Sequence, residues 1–362
     1  MAFLRSRSDA VSVLSHPEYD DHEAVVFHRD PASGLRAIVA IHSTTLGCGL
    51  GGCRVYPYAE EVDAITDVLR LSRGMTYKAA LAGLDQGGGK SVILADPRRD
   101  KTPDMMRAMG RLVQSLGGRY VIAEDSGTDE ADMRAVAEQT AFVGGGAAPV
   151  NAADPGDRDT SAATALGVFY GIQAAVRHRL QRDDLHGLRV AIQGLGKVGT
   201  VLARHLHEAG ALLWVSDAHA PAVAACVERC GATAVAPAQI LEQPADVFAP
   251  CAMGAVLDAH SIARLGAGIV AGAANNQLAD PGDDHLLKQR GVLYAPDYAV
   301  NAGGIINLYY SGPARRWADV DAHLRRIDTT LSEIFEHSAD TGEGTQAIAD
   351  RMARMRFARN AV

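Results

Sequence analysis

The first half of the chain contains short apolar runs separated by turn-forming residues. Residues 35–41, 91–95 and 119–123 are runs of this kind, and each predicts a strand. In residues 61–78, apolar side chains recur every three or four positions and acidic residues crowd the start, which predicts an amphipathic helix. This half therefore mixes strands with at least one long helix.

In the second half, predicted strands and helices alternate. A strand at residues 188–193 precedes a helix at 197–208 and a strand at 211–216. Further buried strands are predicted at residues 245–248, 268–271 and 292–294. The last stretch, 317–359, has a helical pattern that is broken near Gly342. Such alternation is typical of a parallel sheet covered by helices, so we expect an α/β doubly wound fold here.

Length and composition favour two domains. The chain has 362 residues, whereas single domains typically run to roughly 100–200 residues. The stretch from Gly144 to Asp159 is rich in Gly, Ala, Pro and Asp and lacks large apolar residues, so we place the domain boundary there.

Charge and cysteine content exclude several classes of protein. The formal net charge is −8 and no long Lys/Arg run offsets it, so we expect neither a nucleic-acid partner nor an anionic membrane surface. Residues 1–21 lack the apolar stretch of a secretory signal. Five cysteines argue against a disulfide framework and fit a reducing cytoplasm. Cys226 and Cys230 share one helical face, which packing explains better than a metal site.

A glycine motif in the second half predicts a dinucleotide site. Gly194, Gly196 and Gly199 form a GxGxxG pattern between a predicted strand and a predicted helix. The next strand ends at Asp217, whose carboxylate can accept hydrogen bonds from a ribose 2′-hydroxyl and would repel a 2′-phosphate. We therefore predict NAD rather than NADP. The alternative is a glycine turn beside an unrelated surface aspartate.

Two lysines and one aspartate are the candidate catalytic residues. Lys90 directly follows three adjacent glycines, which give a ligand or a second backbone room to approach, and Lys78 lies shortly before them. Burial of a lysine would lower its pKa from about 10.4 and allow it to act as a general base. Asp125 follows a predicted strand. From residue types alone, two solvated surface lysines are equally compatible, and spacing does not show that the three residues meet.

At these residues the chain resembles the glutamate/leucine/phenylalanine/valine dehydrogenase family, and its leucine-specific members most closely. The resemblance extends from His22 to about Asp350. The matching motifs are Thr44–Gly47, Leu50–Gly52, Gly74–Lys78, Gly87–Lys90, Ala123–Asp125, Gly194–Gly199, Ala249–Ala252, Ala274–Gln277, Ala295–Tyr298 and Asn301–Gly304.

The resemblance implies a role for each candidate residue. Lys78 would hold the substrate carboxylate, Lys90 would activate water, and Asp125 would move protons at the amino nitrogen. The implied substrate-binding residues are Lys78, Leu50, Gly51, Gly52, Ala123, Asn276, Ile305 and Leu308. The implied cofactor-binding residues are Gly194, Leu195, Gly196, Lys197, Val198, Gly199, Asp217, Thr164, Cys251, Ala252, Asn276 and Asn301.

The resemblance also implies a domain plan and a reaction. Residues 1–149 would form an α/β catalytic and oligomerisation domain, 150–335 a Rossmann NAD-binding domain, and 336–362 a helical segment that packs back on the first domain. The reaction would be the reversible, NAD-dependent oxidative deamination of leucine, valine or isoleucine to the 2-oxo acid, ammonia and NADH. A homo-oligomer, either a dimer or an octamer, is expected.

Substrate choice depends on a few apolar positions. Glutamate-specific relatives carry a Lys where this chain has Leu50, and a buried carboxylate left unpaired costs several kcal/mol. Ile305 and Leu308 are bulky, which favours aliphatic over aromatic substrates.

Two alternatives remain open: the same chemistry on phenylalanine or tryptophan, and a non-catalytic dinucleotide-binding sensor. Cys53 and the segment from Asp159 to Ala163 depart from the family pattern, which affects the fit near the nicotinamide.

Overall fold

The computed structural model describes residues 12–144, 160–252, 254–311 and 316–358. Beyond Gly144, the predicted boundary stretch lies outside these described residues. The chain divides into two compact units. The first unit comprises Met1–Thr76 with Asp85–Ala147, and the second comprises Tyr77–Leu84 with Ala148–Val362.

The first unit is built on a mixed sheet. Its described strands are β1 (Ala24–Asp30), β2 (Leu35–Ser43), β3 (Gly49–Tyr56), β4 (Gly87–Leu94) and β5 (Tyr120–Glu124), and its helices are α1 (Glu61–Ala82), α2 (Pro103–Ser115) and α3 (Glu130–Ala137). The strand order is β1-β2-β4-β3-β5. β3 runs parallel to both β4 and β5, whereas β2 is antiparallel to β1 and β4.

The two faces of this sheet are buried by different helices. Alternate β2 residues explain the arrangement, because successive strand residues point to opposite faces. Val39 packs with Met105 and Met109 of α2 in one cluster. Ile38 packs with Val68 and Leu69 of α1 in another. The sheet that carries Lys90 is thereby fixed between two apolar layers.

β4 begins four residues earlier than the strand predicted at 91–95, because its three glycines belong to the strand. A Cβ atom on Gly87 would lie 2.0 Å from the carbonyl oxygen of Ser43, and one on Gly88 would lie 2.1 Å from the amide nitrogen of Thr76. Only glycine fits where backbones approach this closely. The neighbouring main chain, rather than a turn, explains the glycine run.

The second unit contains a parallel sheet in the described residues. Its strands are β6 (Arg189–Gln193), β7 (Leu212–Ser216), β8 (Thr233–Ala234), β9 (Val247–Pro250), β10 (Ile269–Val270) and β11 (Leu293–Tyr294). Its helices are α4 (Thr160–Leu180), α5 (Lys197–Glu208), α6 (Ala220–Cys230), α7 (Ala259–Arg264), α8 (Asp283–Gln289), α9 (Asp297–Val300), α10 (Gly303–Tyr309), α11 (Trp317–Leu324), α12 (Arg326–Thr341) and α13 (Thr345–Ala358). The strand order β11-β10-β9-β6-β7-β8 confirms the predicted doubly wound fold.

The C-terminal helices of this unit pack on the last turns of α1. The ring of His323, in α11, hydrogen-bonds through Nε2 to the carbonyl oxygen of Ala82 at 2.6 Å. In α13, Arg354 donates to the Tyr77 hydroxyl at 2.7 Å and Arg356 donates to the Leu81 carbonyl at 2.7 Å. Gly342, with φ +78°, ends α12 where the helical pattern was predicted to break. Among the described helices, none combines the length and apolar character that crossing a bilayer requires.

A buried histidine pair links β2 to α1 within the first unit. The rings of His22 and His42 are 4.8 Å apart, and His42 Nδ1 lies 2.8 Å from the Thr76 hydroxyl. Burial, with His22 as a second contribution, lowers the pKa of His42 from 6.5 to about 4. Burial also lowers the pKa of His22. Both rings are therefore neutral in the folded chain at pH 7.

The histidine pair predicts a loss of stability in mild acid. Below pH 6.5 the unfolded chain gains a proton at His42 that the folded chain does not take up until about pH 4. The free energy of unfolding should fall across this window by up to about 1.4 kcal/mol per pH unit for one such proton. Urea titrations followed by circular dichroism at several pH values measure the slope.

His42→Gln should flatten this slope, because an amide does not titrate there but keeps a hydrogen-bonding group near Thr76. His337→Gln, the same substitution at an exposed position, controls for the change of residue type. A slope that is equal in wild type and His42→Gln would contradict the explanation.

Candidate active site

Lys90 and Asp125 form a close ion pair in the first unit. Lys90 Nζ lies 2.8 Å from Asp125 Oδ2, and the side chain of Lys90 is only 7 % exposed. Lys90 is held in the middle of β4, and Asp125 follows the last residue of β5. Thr128 fixes the turn after β5, since its hydroxyl accepts from the Asp125 amide at 2.9 Å and lies 3.0 Å from the Cys53 carbonyl. Sheet geometry therefore brings these two predicted residues together.

A second cation contacts the same carboxylate. Arg54, on β3, donates from Nε to Asp125 Oδ2 at 3.1 Å. Burial alone would raise the pKa of Asp125, but Lys90 and Arg54 together outweigh burial and lower it below its ordinary value. Asp125 is thus held as a carboxylate. Sequence reasoning missed Arg54 because it did not predict β3, although a charged residue directly after Gly51, Gly52 and Cys53 is the available signal.

Gly51 and Gly52 are required by close packing around this pair. A Cβ atom on Gly52 would lie 2.6 Å from the Asp125 Cβ, and one on Gly51 would lie 1.7 Å from the Gly89 carbonyl oxygen. The Tyr120 hydroxyl donates to the Gly51 carbonyl at 2.7 Å. The backbone of β3 is therefore bare on the side where Asp125 packs.

Leu50 and Ala123 are the predicted pocket residues of the first unit, and both are buried. They lie on neighbouring strands, since Leu50 pairs with Val121 and Gly52 with Ala123. Gly144 is a further residue that sequence reasoning did not assign to this pocket: a Cβ atom there would lie 3.1 Å from Leu50 Cδ1. Any side chain at position 144 would therefore reduce the space beside Leu50.

In the second unit, the predicted glycine turn joins β6 to α5. Gly194 has φ +100°, a conformation that favours glycine. A Cβ atom on Gly199 would lie 2.0 Å from the Gly194 carbonyl oxygen, so this glycine permits the helix to pack on the strand. A Cβ atom on Gly196 would meet no described atom within 4 Å. Packing against the described residues therefore does not explain why this position is glycine.

The residues around this turn fit a dinucleotide. Asp217 follows β7 and accepts from the amides of Leu195 and His219 at 2.6 and 2.7 Å, which lowers its pKa. Leu195 thus ties the carboxylate to the glycine turn, while Lys197 and Val198 begin α5 with their amides at its positive end. Cys251 and Ala252 lie against Gly194, since a Cβ there would be 2.8 Å from Ala252 Cβ.

Lys78 lies in the part of α1 that belongs to the second unit. Its Nζ donates to Asn275 Oδ1 at 3.3 Å, and the same oxygen accepts from Asn301 Nδ2 at 2.7 Å. Burial raises the pKa of the nearby Asp297, and Lys78 opposes that rise. The predicted residues Lys78 and Asn301 are therefore connected through Asn275, which sequence reasoning included only as part of a motif.

The other predicted residues of the second unit lie on α4, on α10 and in the loop between β10 and α8. Asn276 has φ +51°, which strains a side-chain-bearing residue. Thr164, on α4, lies next to the start of α10, since a Cβ on Gly304 would be 3.1 Å from its hydroxyl. Ile305 and Leu308 are on α10, the first buried and the second half-buried. Six of the predicted site residues belong to the first unit: Leu50, Gly51, Gly52, Lys90, Ala123 and Asp125. The other predicted site residues belong to the second unit.

Several buried polar atoms in the second unit lack a hydrogen-bond partner within the described part of the chain. They are Gln193 Oε1, Ser216 Oγ, Gln277 Oε1 and Asn301 Oδ1. Gln193 and Ser216 are the last residues of β6 and β7, which is where ligands bind in open parallel sheets. Unpaired buried acceptors are costly unless a ligand pairs with them, so the residues present fit a dinucleotide.

Two protein-family models match this chain. Residues 22–142 match the model of the Glu/Leu/Phe/Val dehydrogenase dimerisation domain, and residues 156–225 and 216–359 match that of Glutamate/Leucine/Phenylalanine/Valine dehydrogenase. The chain belongs to this dehydrogenase family. As a member, it is an amino-acid dehydrogenase, and the family implies a nicotinamide dinucleotide as cofactor.

Individual relatives cover nearly the whole chain. Leucine dehydrogenase of Geobacillus stearothermophilus is 43% identical over 351 residues, or 96% of this chain and 94% of that protein. Valine dehydrogenase of Streptomyces virginiae is 46% identical, covering 95% and 96%. The crystal structure of L-tryptophan dehydrogenase from Nostoc punctiforme matches with a TM-score of 0.82 at 42% identity, covering 94% of this chain and 97% of that one. The predicted family is confirmed.

The free space at Gly196 predicts a defect in cofactor binding without a defect in folding. Gly196→Ala places a methyl group where no described atom would clash, so the melting temperature should change little. The same methyl group would keep a pyrophosphate from the backbone, and the Kd for reduced dinucleotide should rise at least about tenfold. Fluorescence titration measures the Kd.

Gly268→Ala is the matched control, because Gly268 is in the same unit and its Cβ would likewise meet nothing within 4 Å. Its Kd should equal that of the wild type. Equal dinucleotide affinity in the two variants would remove Gly196 from the cofactor site.

Proposed function

We propose that the protein catalyses the reversible, NAD-dependent oxidative deamination of a branched-chain L-amino acid to the 2-oxo acid, ammonia and NADH. The observation that carries the proposal is the ion pair between buried Lys90 and half-buried Asp125, whose charged atoms are 2.8 Å apart. A buried lysine beside a carboxylate can exchange protons with a substrate amine and with water. Gly51 and Gly52 let β3 pack directly against this pair, which helps to hold Asp125 beside Lys90.

Each polar group then has one task. Lys78 binds the substrate carboxylate through its ammonium group. Asp125 takes up a proton from the substrate amino group, and the nicotinamide ring supplies the chemistry of accepting the hydride from Cα. Lys90 accepts a proton from the water that adds to the resulting imine carbon, which gives a carbinolamine. Asp125 then returns its proton to the nitrogen of the carbinolamine, the C–N bond breaks, and ammonia leaves while the hydroxyl group loses its proton to solvent and becomes the carbonyl of the 2-oxo acid. Thr164, Asn276, Asn301, Cys251 and Ala252 contribute to the cofactor site.

Apolar side chains at the predicted substrate positions of each unit support the choice of substrate. Leu50 and Ala123 in the first unit, and Ile305 and Leu308 in the second, offer no partner to a side-chain carboxylate, so glutamate should bind poorly. The relatives named leucine and valine dehydrogenase agree with an aliphatic substrate. An aromatic amino acid is the second candidate. It is favoured by Gly144, which carries no side chain beside Leu50, and by the likeness to L-tryptophan dehydrogenase.

The carboxylate of Asp217 supports NAD over NADP. Its two oxygens accept backbone hydrogen bonds at 2.6 and 2.7 Å, which keeps it ionised and fixed at the end of β7. A fixed anion in this place would accept from a ribose hydroxyl and repel a 2′-phosphate.

The first unit supports a proposal on assembly as well. The family model that matches residues 22–142 is described as a dimerisation domain, so we propose a homo-oligomer formed through this unit. Free cysteines at positions 48, 53, 226, 230 and 251 suit a reducing compartment such as the cytoplasm.

A substrate panel tests the proposed function. NADH formation is followed by absorbance with leucine, valine, isoleucine, phenylalanine, tryptophan and glutamate, each with NAD and with NADP. Leucine, valine and isoleucine with NAD should give the highest kcat/KM, and glutamate should be at least about 100-fold poorer, because an unpaired buried carboxylate costs several kcal/mol. Highest activity with tryptophan would favour the second candidate. Activity with glutamate alone, or with none, would refute the proposal.

Lys90→Met should lower kcat by at least about 100-fold while leaving dinucleotide affinity unchanged, because a thioether cannot carry the proton. Lys101→Met is the matched control: Lys101 is a half-buried lysine of the first unit, 17 % exposed and paired with Asp132 at 2.5 Å. Loss of its ion pair should reduce stability but not kcat. Normal turnover by Lys90→Met would show that another group moves the proton.

A further inference from the structure

Arg54 bridges two carboxylates that come from different elements of the first unit. Its Nε donates to Asp125 Oδ2 at 3.1 Å. One terminal nitrogen donates to both oxygens of Asp67, on α1, at 2.8 and 3.1 Å. A planar guanidinium can serve two carboxylates at once because its donors point in fixed directions.

A tyrosine secures the far side of this bridge. The Tyr58 hydroxyl donates to Asp67 Oδ2 at 2.5 Å. Burial, followed by the hydrogen bond to Asp67, raises the pKa of Tyr58, so the phenol remains a donor. The side chains of Arg54 and Asp67 are each 25 % exposed. Asp67 is thus held by β3, α1 and the segment after β3, and Arg54 has little freedom to rotate.

The chemistry assigned to Lys90 explains why a second cation is needed. Lys90 and Arg54 both donate to Asp125 Oδ2. A lysine that exchanges protons during turnover is not a constant anchor for the carboxylate beside it. A guanidinium keeps its charge at every pH relevant to an enzyme, so Arg54 remains a cation at each stage.

We propose that Arg54, braced by Asp67 and Tyr58, is a positioning residue that holds the Asp125 carboxylate in place for proton transfer while Lys90 changes its protonation state. This inference rests on the function proposed above. Hydrogen bonds then connect Tyr58, Asp67, Arg54 and Asp125 in that order, and Asp125 contacts Lys90.

A double-mutant cycle tests the inference. Arg54→Ala should lower kcat about 100-fold in the wild-type background, because Asp125 loses its fixed orientation. In the Asp125→Asn background the same substitution should lower kcat by less than about threefold, since Arg54 then has no carboxylate to position. A purely structural role would reduce kcat by the same factor in both backgrounds and would overturn the inference.

Arg54→Lys separates geometry from charge and serves if Arg54→Ala does not fold. A lysine keeps the positive charge but presents a single ammonium in place of a planar fork. We expect at least about a tenfold loss of kcat with an unchanged Kd for NADH. Wild-type kcat in Arg54→Lys would show that bridging is not required.

Arg73→Ala is the matched control. Arg73 pairs with Glu18 at 3.0 Å, and their side chains are 27 % and 26 % exposed, close to the values for Arg54 and Asp67. Its substitution should change kcat by no more than roughly twofold. A loss equal to that of Arg54→Ala would mean that any such ion pair of the first unit is equally important, which contradicts a specific role.

Failure of the inference can be distinguished from failure of the proposed function. If the wild type oxidises no amino acid, the proposed function fails, and a crystal structure of Arg54→Ala still tests positioning. The Asp125 carboxylate should leave Lys90 or occupy more than one conformation. A single Asp125 conformer that keeps the 2.8 Å contact with Lys90 would overturn the inference.

Discussion

The first unit depends on one electrostatic constraint: the carboxylate of Asp125, whose side chain is only 22 % exposed, needs cations beside it. An unpaired buried charge is strongly destabilising. Lys90 and Arg54 supply the positive charge, and Asp67 balances the second cation. Parallel pairing of β3 with β4 and with β5 is what places all these groups at one region of the sheet. The same close packing requires glycine at positions 51 and 52, because a Cβ atom there would overlap the Gly89 carbonyl oxygen or the Asp125 side chain.

Part of this arrangement could be predicted from the sequence because local signals were strong. The helix predicted at 197–208 has the bounds of α5, since Gly196 precedes it and Gly210 follows it. The strand predicted at 119–123 is shifted by one residue from β5, and the strand predicted at 211–216 starts one residue before β7. Where the apolar pattern is periodic and glycine marks the ends, sequence alone locates an element closely.

Other parts could not be predicted because tertiary contacts override local preference. β3 has four polar or glycine positions among its eight residues, GLGGCRVY, and lacks the alternation of a half-buried strand. It forms because β4 and β5 pair with it on both sides. Arg54 was missed for that reason, and so was Gly144, whose relevance depends on a contact with Leu50. Ile305 and Leu308 were identified only through resemblance.

The glycine run of β4 has a consequence for the unfolded chain. Each glycine loses more backbone freedom on folding than alanine would, by about 0.5–1 kcal/mol. Three in succession make the strand that carries Lys90 entropically demanding to order, as do the three glycines of β3. Replacement by alanine, the usual remedy, is closed here because the backbone of Ser43 and Thr76 and the ring of Tyr120 occupy the space. Burial of the apolar layers on the two faces of the sheet must therefore supply the compensating free energy. Core substitutions at Val39 or Val92 that weaken this packing should make the strand that carries Lys90 less ordered.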